Sequence, residues 1–269
     1  MTSNPKKTRE ELSGAKRIVV KIGTNCLTDE NSKLDEKSIE KLADDLANLK
    51  ENEKEVILVS SGAIGAGVGR LSLQKMPDNM ESLQAASTVG QGALMRRYSE
   101  NFEEYGLHVA QILLTQEDLT DPSRFQNFKN TIRILFKWGV IPIVNENDAV
   151  AVEEIRMGDN DPLSAFTASG AGADLLIMLT DVDGLHTGDP KKEKSAKPIR
   201  TVEKVTPGIE KLTEKTSGSD FGGMYTKVQA AKIATGEGIP VVVADAREVN
   251  VLKKILSGEE IGTLFLAQK

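Results

Sequence analysis

The sequence predicts an α/β protein, a three-layer sandwich whose central, mainly parallel sheet is covered by helices on both faces. Three observations carry this expectation. Short β-branched runs alternate along the chain with segments of helical spacing. The runs are apolar throughout rather than every second residue, as in strands buried on both faces. Nearly every run also ends in glycine or in a cluster of Asn and Asp, the residues of tight turns.

The first strand is "RIVVKI" (17–22), which ends at Gly23. "DEKSIEKLADDLANLKENEK" then places Ile39, Leu42, Leu46 and Leu49 at helical spacing, with Asp35 suited to start the helix. "EVILVSSG" (55–62) repeats the strand-then-glycine pattern and leads into an apparent helix. Helical patterns over 83–105, 123–138 and 227–236 alternate with strands at "HVAQILLT" (108–115), "VIPIVNEN" (140–147), "DLLIMLTD" (174–181) and "IPVVVADA" (239–246). No repeat or low-complexity linker divides the chain. Residues 16–269 therefore read as one domain behind a polar leader, residues 1–15.

Composition narrows the function classes. Hydrophobic content of 39% with 28% charge is that of a soluble globule with a sizeable core. A net charge of −6 argues against a dedicated nucleic-acid binder, which shows a basic face. Cys26 is the single cysteine, so neither an internal disulfide nor a cysteine metal cage is available, and a reducing cytoplasm is the expected location. No apolar run approaches the ~20 residues of a membrane span, and the N-terminus has no signal-peptide core.

The chemistry gathers at strand ends: Gly23-Thr24-Asn25, Ser60-Ser61-Gly62, Asn145 to Asp148, and Thr180 to Gly184. Open α/β sheets bind ligands at the carboxyl ends of their strands. "NENDAV" and "GDNDPLSA" crowd Asn145, Glu146, Asn147, Asp148, Asp159, Asn160 and Asp161 into one region. Turns, metal binding and recognition of a small polar molecule each remain open as explanations. Gly62, Gly65, Gly67 and Gly69 either bring backbone N–H groups to an anion or let a helix pack closely. They match neither G-x-G-x-x-G nor a Walker loop.

In "SGSDFGGMYTK", Gly222 and Gly223 precede Lys227, which suits a phosphate, although an exposed loop is the ordinary alternative. Lys21 ends a strand that should be buried, where a lysine is costly unless a carboxylate such as Asp161 or a bound anion meets it. His108 and His186 have no metal-like spacing, and Ser61 lacks a nucleophile elbow. Two lysines, two glycine loops and several aspartates suit phosphoryl transfer best, where positioning and charge neutralisation dominate.

"VVKIGTN", "VSSGAIGAG", "VGQGALM", "VNENDAVAVEEIRMGDNDPLSA", "LTDVDGLHTGDP" and "GGMYTKVQAA" together resemble the glutamate 5-kinases of the amino-acid kinase family. The likeness runs collinearly from about Arg17 to "GTLF". It implies the amino-acid kinase fold, with an N-terminal substrate lobe and a C-terminal nucleotide lobe. It also implies ATP-dependent phosphorylation of the L-glutamate γ-carboxylate, the first step of proline synthesis, with Mg²⁺.

By this resemblance Lys21 and Lys227 stabilise the transferring phosphoryl group and Asp161 orients them. Ser61, Asp148 and Asn160 contact glutamate. ATP is held by Lys21, Thr180, Asp181, Phe221, Gly222, Gly223, Met224, Tyr225, Thr226 and Lys227. Proline is implied as a feedback inhibitor and a homodimer or homotetramer as the assembly. From the chain's charge and hydropathy no nucleic-acid or membrane partner is expected, and from its length a kinase-domain-only form is expected, without the C-terminal PUA domain that many members carry. The chain departs from the family pattern at Asp220-Phe221, where Gly-Thr is usual, and at His186, where Tyr is usual. The competing expectations are an acetylglutamate kinase or aspartokinase type, or a non-catalytic ligand-sensing relative.

Overall fold

Two compact units divide the chain: Ile22–Asn160, and Met1–Lys21 together with Asp161–Lys269. The computed structural model describes residues 5–29, 33–151, 160–190, 192–193, 195–214 and 223–268. Helix α1 (Pro5–Glu10) precedes strand β1 (Arg17–Ile22), the strand on which the division falls.

Within Ile22–Asn160 the elements are α2 (Glu36–Glu51), β2 (Glu55–Ser60), α3 (Ala63–Arg70), α4 (Met80–Glu103), β3 (Val109–Leu114), α5 (Gln116–Thr120), α6 (Pro122–Lys137) and β4 (Ile141–Glu146). Their strands lie in the order β3-β4-β2, with both pairs parallel; Leu58 stands opposite Ile143, and Ile112 opposite Val144. β2 and β4 are buried almost end to end, which is why their sequences are apolar on both faces. The helix starts follow local chemistry. Asp35 accepts from Lys37 N at the start of α2, Asn79 from Ser82 N at α4, and Asp121 from Arg124 N at α6, where Pro122 follows. Ile39, Leu42, Leu46 and Leu49 form the buried face of α2, as their spacing predicts.

Glycine decides how α3 meets α4. A Cβ on Gly67 would lie 1.8 Å from the Ala86 carbonyl oxygen, and one on Gly90 would lie 1.8 Å from that of Ala63. The two backbones touch, so the close-packing reading of this glycine stretch holds at Gly67. Gly62, with φ of 98°, makes the left-handed turn from β2 into α3.

The other unit contains α7 (Asp161–Ala171), β5 (Leu175–Thr180), β6 (Thr201–Val202), α8 (Pro207–Glu214), α9 (Met224–Gly236), β7 (Val241–Asp245), α10 (Val251–Leu256) and β8 (Thr263–Phe265). Its strands run in the order β1-β5-β7-β8-β6. β5 and β7 are parallel, as are β6 and β8, while β7 and β8 are antiparallel. The α/β class with a mainly parallel sheet is therefore present. The segment read as a polar leader carries a buried cation, Arg9, whose guanidinium donates to the carbonyls of Arg200, Ile261 and Gly262.

Candidate active site

The side chains singled out in the sequence form two clusters, one in each unit. In the first, Lys21 sits near the carboxyl end of β1 between the buried Val20 and Ile22, and is itself 2% exposed. Its Nζ lies 2.5 Å from Asp161 Oδ1. Lys227 Nζ lies 3.1 Å from Oδ2 of the same carboxylate, and the Thr226 hydroxyl is 2.9 Å from that oxygen. Asp161 opens α7, where a negative charge suits the helix dipole. Lys227 occupies the first turn of α9, where the dipole opposes a cation, and the Asp161 carboxylate offsets that penalty.

Burial pushes the Asp161 carboxyl upward, but the Lys21 and Lys227 charges and the hydrogen bonds from Lys21 and Thr226 outweigh it. The group is held well below the usual carboxylate range. It stays ionised at any working pH.

The same unit carries the residues assigned to ATP. Thr180 ends β5, buried, with its hydroxyl 3.2 Å from Asp181 Oδ1. Arg247 donates to the Asp245 carboxylate and, at 2.8 Å, to the Asp181 carbonyl. Gly223 caps α9 without a side-chain bond, ahead of Met224, Tyr225, Thr226 and Lys227. Phe221 and Gly222 fall outside the described residues, as does Asp159. His186 is engaged locally, with Nδ1 3.2 Å from the Gly184 carbonyl and Nε2 3.3 Å from Asp183 Oδ1.

In Ile22–Asn160 the second cluster lies at the ends of β2 and β4. Asn160 Nδ2 is 2.8 Å from the Ser60 carbonyl, 2.8 Å from Asn145 Oδ1 and 3.1 Å from Ser61 Oγ. Asn145 Nδ2 donates to Gln91 Oε1 at 2.7 Å, while its Oδ1 also accepts from the Glu146 N–H. The Asn160 Oδ1 is buried and meets no donor among the described residues. Asp148 is 7% exposed, and Ser87 donates to its carboxylate. Burial raises the Asp148 carboxyl above its ordinary value and the Ser87 hydrogen bond opposes the shift. No described cation pairs with it. Asn160 Oδ1 thus has no donor among the described residues, and the buried Asp148 carboxylate has the Ser87 hydroxyl but no described cation.

Ser61 and Asn160 lie within hydrogen-bond distance of each other, and Asp148 is tied to α4 through Ser87. Ser87 and Gln91, one helical turn apart on that helix, went unnoticed in the sequence. Their only signal is two polar residues on a face otherwise made of Leu83, Ala86, Gly90 and Leu94. Among the described residues no group of three His, Cys, Asp or Glu could hold a metal ion, and no helix is long and apolar enough to cross a membrane.

Sequence comparison matches residues 16–245 to the amino acid kinase family. Glutamate 5-kinase of Caldanaerobacter subterraneus subsp. tengcongensis is 51% identical over 254 residues, which cover 94% of this chain and 68% of that protein. That of Symbiobacterium thermophilum is 48% identical over 257 residues, 96% of this chain and 98% of that protein. The chain belongs to the amino acid kinase family, among its glutamate 5-kinases. A solved amino acid kinase fold agrees: carbamate kinase from Giardia lamblia superposes with a TM-score of 0.67 at 18% identity, over 95% of this chain and all of that one (100%). At that identity the likeness speaks for the fold alone.

Proposed function

We propose that the chain transfers the γ-phosphoryl group of ATP to the γ-carboxylate of L-glutamate, giving γ-glutamyl phosphate, the first step of proline biosynthesis. The observation that carries this reading is the convergence of Lys21 and Lys227 on the two oxygens of Asp161. A carboxylate acceptor is already ionised, so no general base is required. Asp161, held strongly acidic by two ammonium groups, is a poor base in any case. Its role is to aim the lysines. The lysines stabilise the charge that builds on the transferring phosphoryl oxygens, an effect larger in the transition state than in the ground state.

Ser61, Asp148 and Asn160 hold glutamate. The ionised Asp148 and the Asn160 Oδ1 accept from its ammonium, which brings a positive charge to the first and a donor to the second. The unit Ile22–Asn160 is thus the amino-acid lobe, and the unit containing Thr180, Asp181 and α9 the nucleotide lobe. Mg²⁺ would accompany ATP. The described residues offer no protein cage for it, so the nucleotide phosphates and water would supply most of its ligands. Proline carries the same α-carboxylate and amino group as glutamate and would inhibit by occupying the same acceptors. A homodimer or homotetramer is the proposed assembly.

An acetylglutamate kinase type of activity fits less well, because an acylated nitrogen brings no charge to the buried Asp148. The test is hydroxylamine trapping of the acyl phosphate after incubation with ATP, Mg²⁺ and each acid. Glutamate should give hydroxamate, whereas N-acetylglutamate and aspartate should give little. Equal rates with all three would overturn the substrate assignment.

A further inference from the structure

The amides of Asn160, Asn145 and Gln91 form a buried chain with one direction. Two backbone groups set that direction, so side-chain orientation is not a free choice. The Glu146 N–H points at Asn145, which must present Oδ1 to it, and the Ser60 carbonyl points at Asn160, which must present Nδ2. Asn145 Nδ2 is then left to donate to Gln91, which must turn Oε1 inward. Asn160, Asn145 and Gln91 are 2%, 3% and 8% exposed, so water does not scramble the order. The chain therefore ends in an acceptor at one side, Asn160 Oδ1, and in a donor at the other, Gln91 Nε2. Neither end meets a partner among the described residues: Asn160 Oδ1 is orphaned, and Gln91 makes only the bond through Oε1.

An α-amino acid carries one cationic donor group and one anionic acceptor group on the same carbon. A site with Asp148 and Asn160 Oδ1 as acceptors satisfies the first and leaves the second unanswered. We propose that Gln91 Nε2 donates to the α-carboxylate of the amino-acid substrate and is a specificity-determining residue for it. This inference rests on the glutamate reading given above. Ser87, one turn earlier on the same face of α4, already binds Asp148, so the helix presents the group that seats the ammonium acceptor and the carboxylate donor side by side. An acid without an α-carboxylate, or with that group amidated, gains nothing from the donor.

The test exchanges the donor for an acceptor. Gln91→Glu keeps an oxygen toward Asn145 Nδ2 but turns a carboxylate oxygen toward the substrate. The Michaelis constant for glutamate should rise about 10- to 100-fold, the size of a lost hydrogen bond to a charged group, while that for ATP holds. The inhibition constant of L-glutamate α-amide, measured as a competitor of glutamate, should stay level or fall, because its carboxamide N–H can donate to the new carboxylate. The ratio of the two constants should therefore shift at least about tenfold. Gln91→Met serves if the charged variant does not fold, and should weaken glutamate more than the α-amide. Equal changes for both compounds, or none, would refute the assignment. Absence of hydroxamate from the wild-type protein with glutamate would instead sink the glutamate reading itself.

Discussion

Lys227 Nζ lies 3.1 Å from Asp161 Oδ2, the oxygen opposite the one that Lys21 holds. A lysine in the first turn of a helix works against the helix dipole, and here it is also buried. Stability alone gives no reason for it. Phosphoryl transfer does, and the first prediction tests that. Lys227→Met should lower kcat by about 100-fold or more while the glutamate KM changes only a few-fold. Steady-state hydroxamate formation at saturating ATP measures both. A near-wild-type kcat would remove Lys227 from the chemistry.

Asp161→Asn should cost both activity and stability. It leaves two buried ammonium groups without their shared carboxylate, a loss of about 3–5 kcal/mol by analogy with broken buried pairs. Because the folded-state value is depressed, the wild-type contribution is complete above the unfolded carboxylate range and is lost progressively as pH falls from there to the folded value. Urea midpoints of the two proteins should therefore differ fully at neutral pH and converge progressively once pH falls below the ordinary carboxylate range. A gap that stays constant down to pH ~2, or one already closed near pH 5, would contradict so depressed a group.

Asp148 shifts the other way, and the sign of its effect reverses. Its carboxyl is raised by burial, so the folded protein favours the neutral form, and stability is lost as pH rises through the folded value. Asp148→Asn should raise Tm at pH 7 without ligand, with the advantage shrinking in acid, while the glutamate KM rises about 10- to 100-fold. Lower Tm at neutral pH would show that the ionised carboxylate is satisfied in some way that Ser87 alone does not provide.

The acid limb of kcat/KM should accordingly lie above the ordinary carboxylate range, since ionised Asp148 is the form that receives the ammonium. Ser87→Ala removes the hydrogen bond that opposes the shift, and should move that limb to still higher pH. A limb that stays put in the variant would mean that another group sets it.

Gly67→Ala tests the packing beneath the amino-acid cluster. The added methyl would sit 1.8 Å from the Ala86 carbonyl oxygen, so α3 and α4 must separate, at a cost of about 1–3 kcal/mol or more. Gly92→Ala, on the open side of α4 with nothing within 4 Å, should instead stabilise by about 0.5–1 kcal/mol. Urea denaturation of both variants decides it. Equal effects would contradict the close approach.

The long apolar runs were legible in the sequence because burial on both faces writes itself as unbroken Val, Ile and Leu. β1, β2 and β5 appear where "RIVVKI", "EVILVSSG" and "DLLIMLTD" predict them. β6 and β8 were missed because strands of two and three residues carry no periodicity. α7 was missed for another reason. It begins inside the Asp-rich cluster at Asp161, and its small residues Ser164, Ala165 and Ala168 show little amphipathic contrast. The buried face of α2 shows the opposite case, with Asp35 readable as its cap. In the site, Lys21 was legible because a lysine in a buried strand demands a partner. Gln91 and Ser87 were not, because their partners Asn145 and Asp148 lie far along the chain and only folding pairs them.

The most direct test of the account follows the oxygen atoms. With glutamate labelled by ¹⁸O in both γ-carboxylate positions, attack on the γ-phosphorus of ATP makes one labelled oxygen the bridge of the acyl phosphate. Hydroxylamine then cleaves the carbon–oxygen bond, and the bridge leaves with phosphate. Mass spectrometry of the phosphate released in the presence of ATP, Mg²⁺ and hydroxylamine should find one ¹⁸O atom in each ion that matches a hydroxamate formed. Phosphate carrying only ¹⁶O would mean that water, not the glutamate carboxylate, accepts the phosphoryl group, and would contradict the proposed reaction.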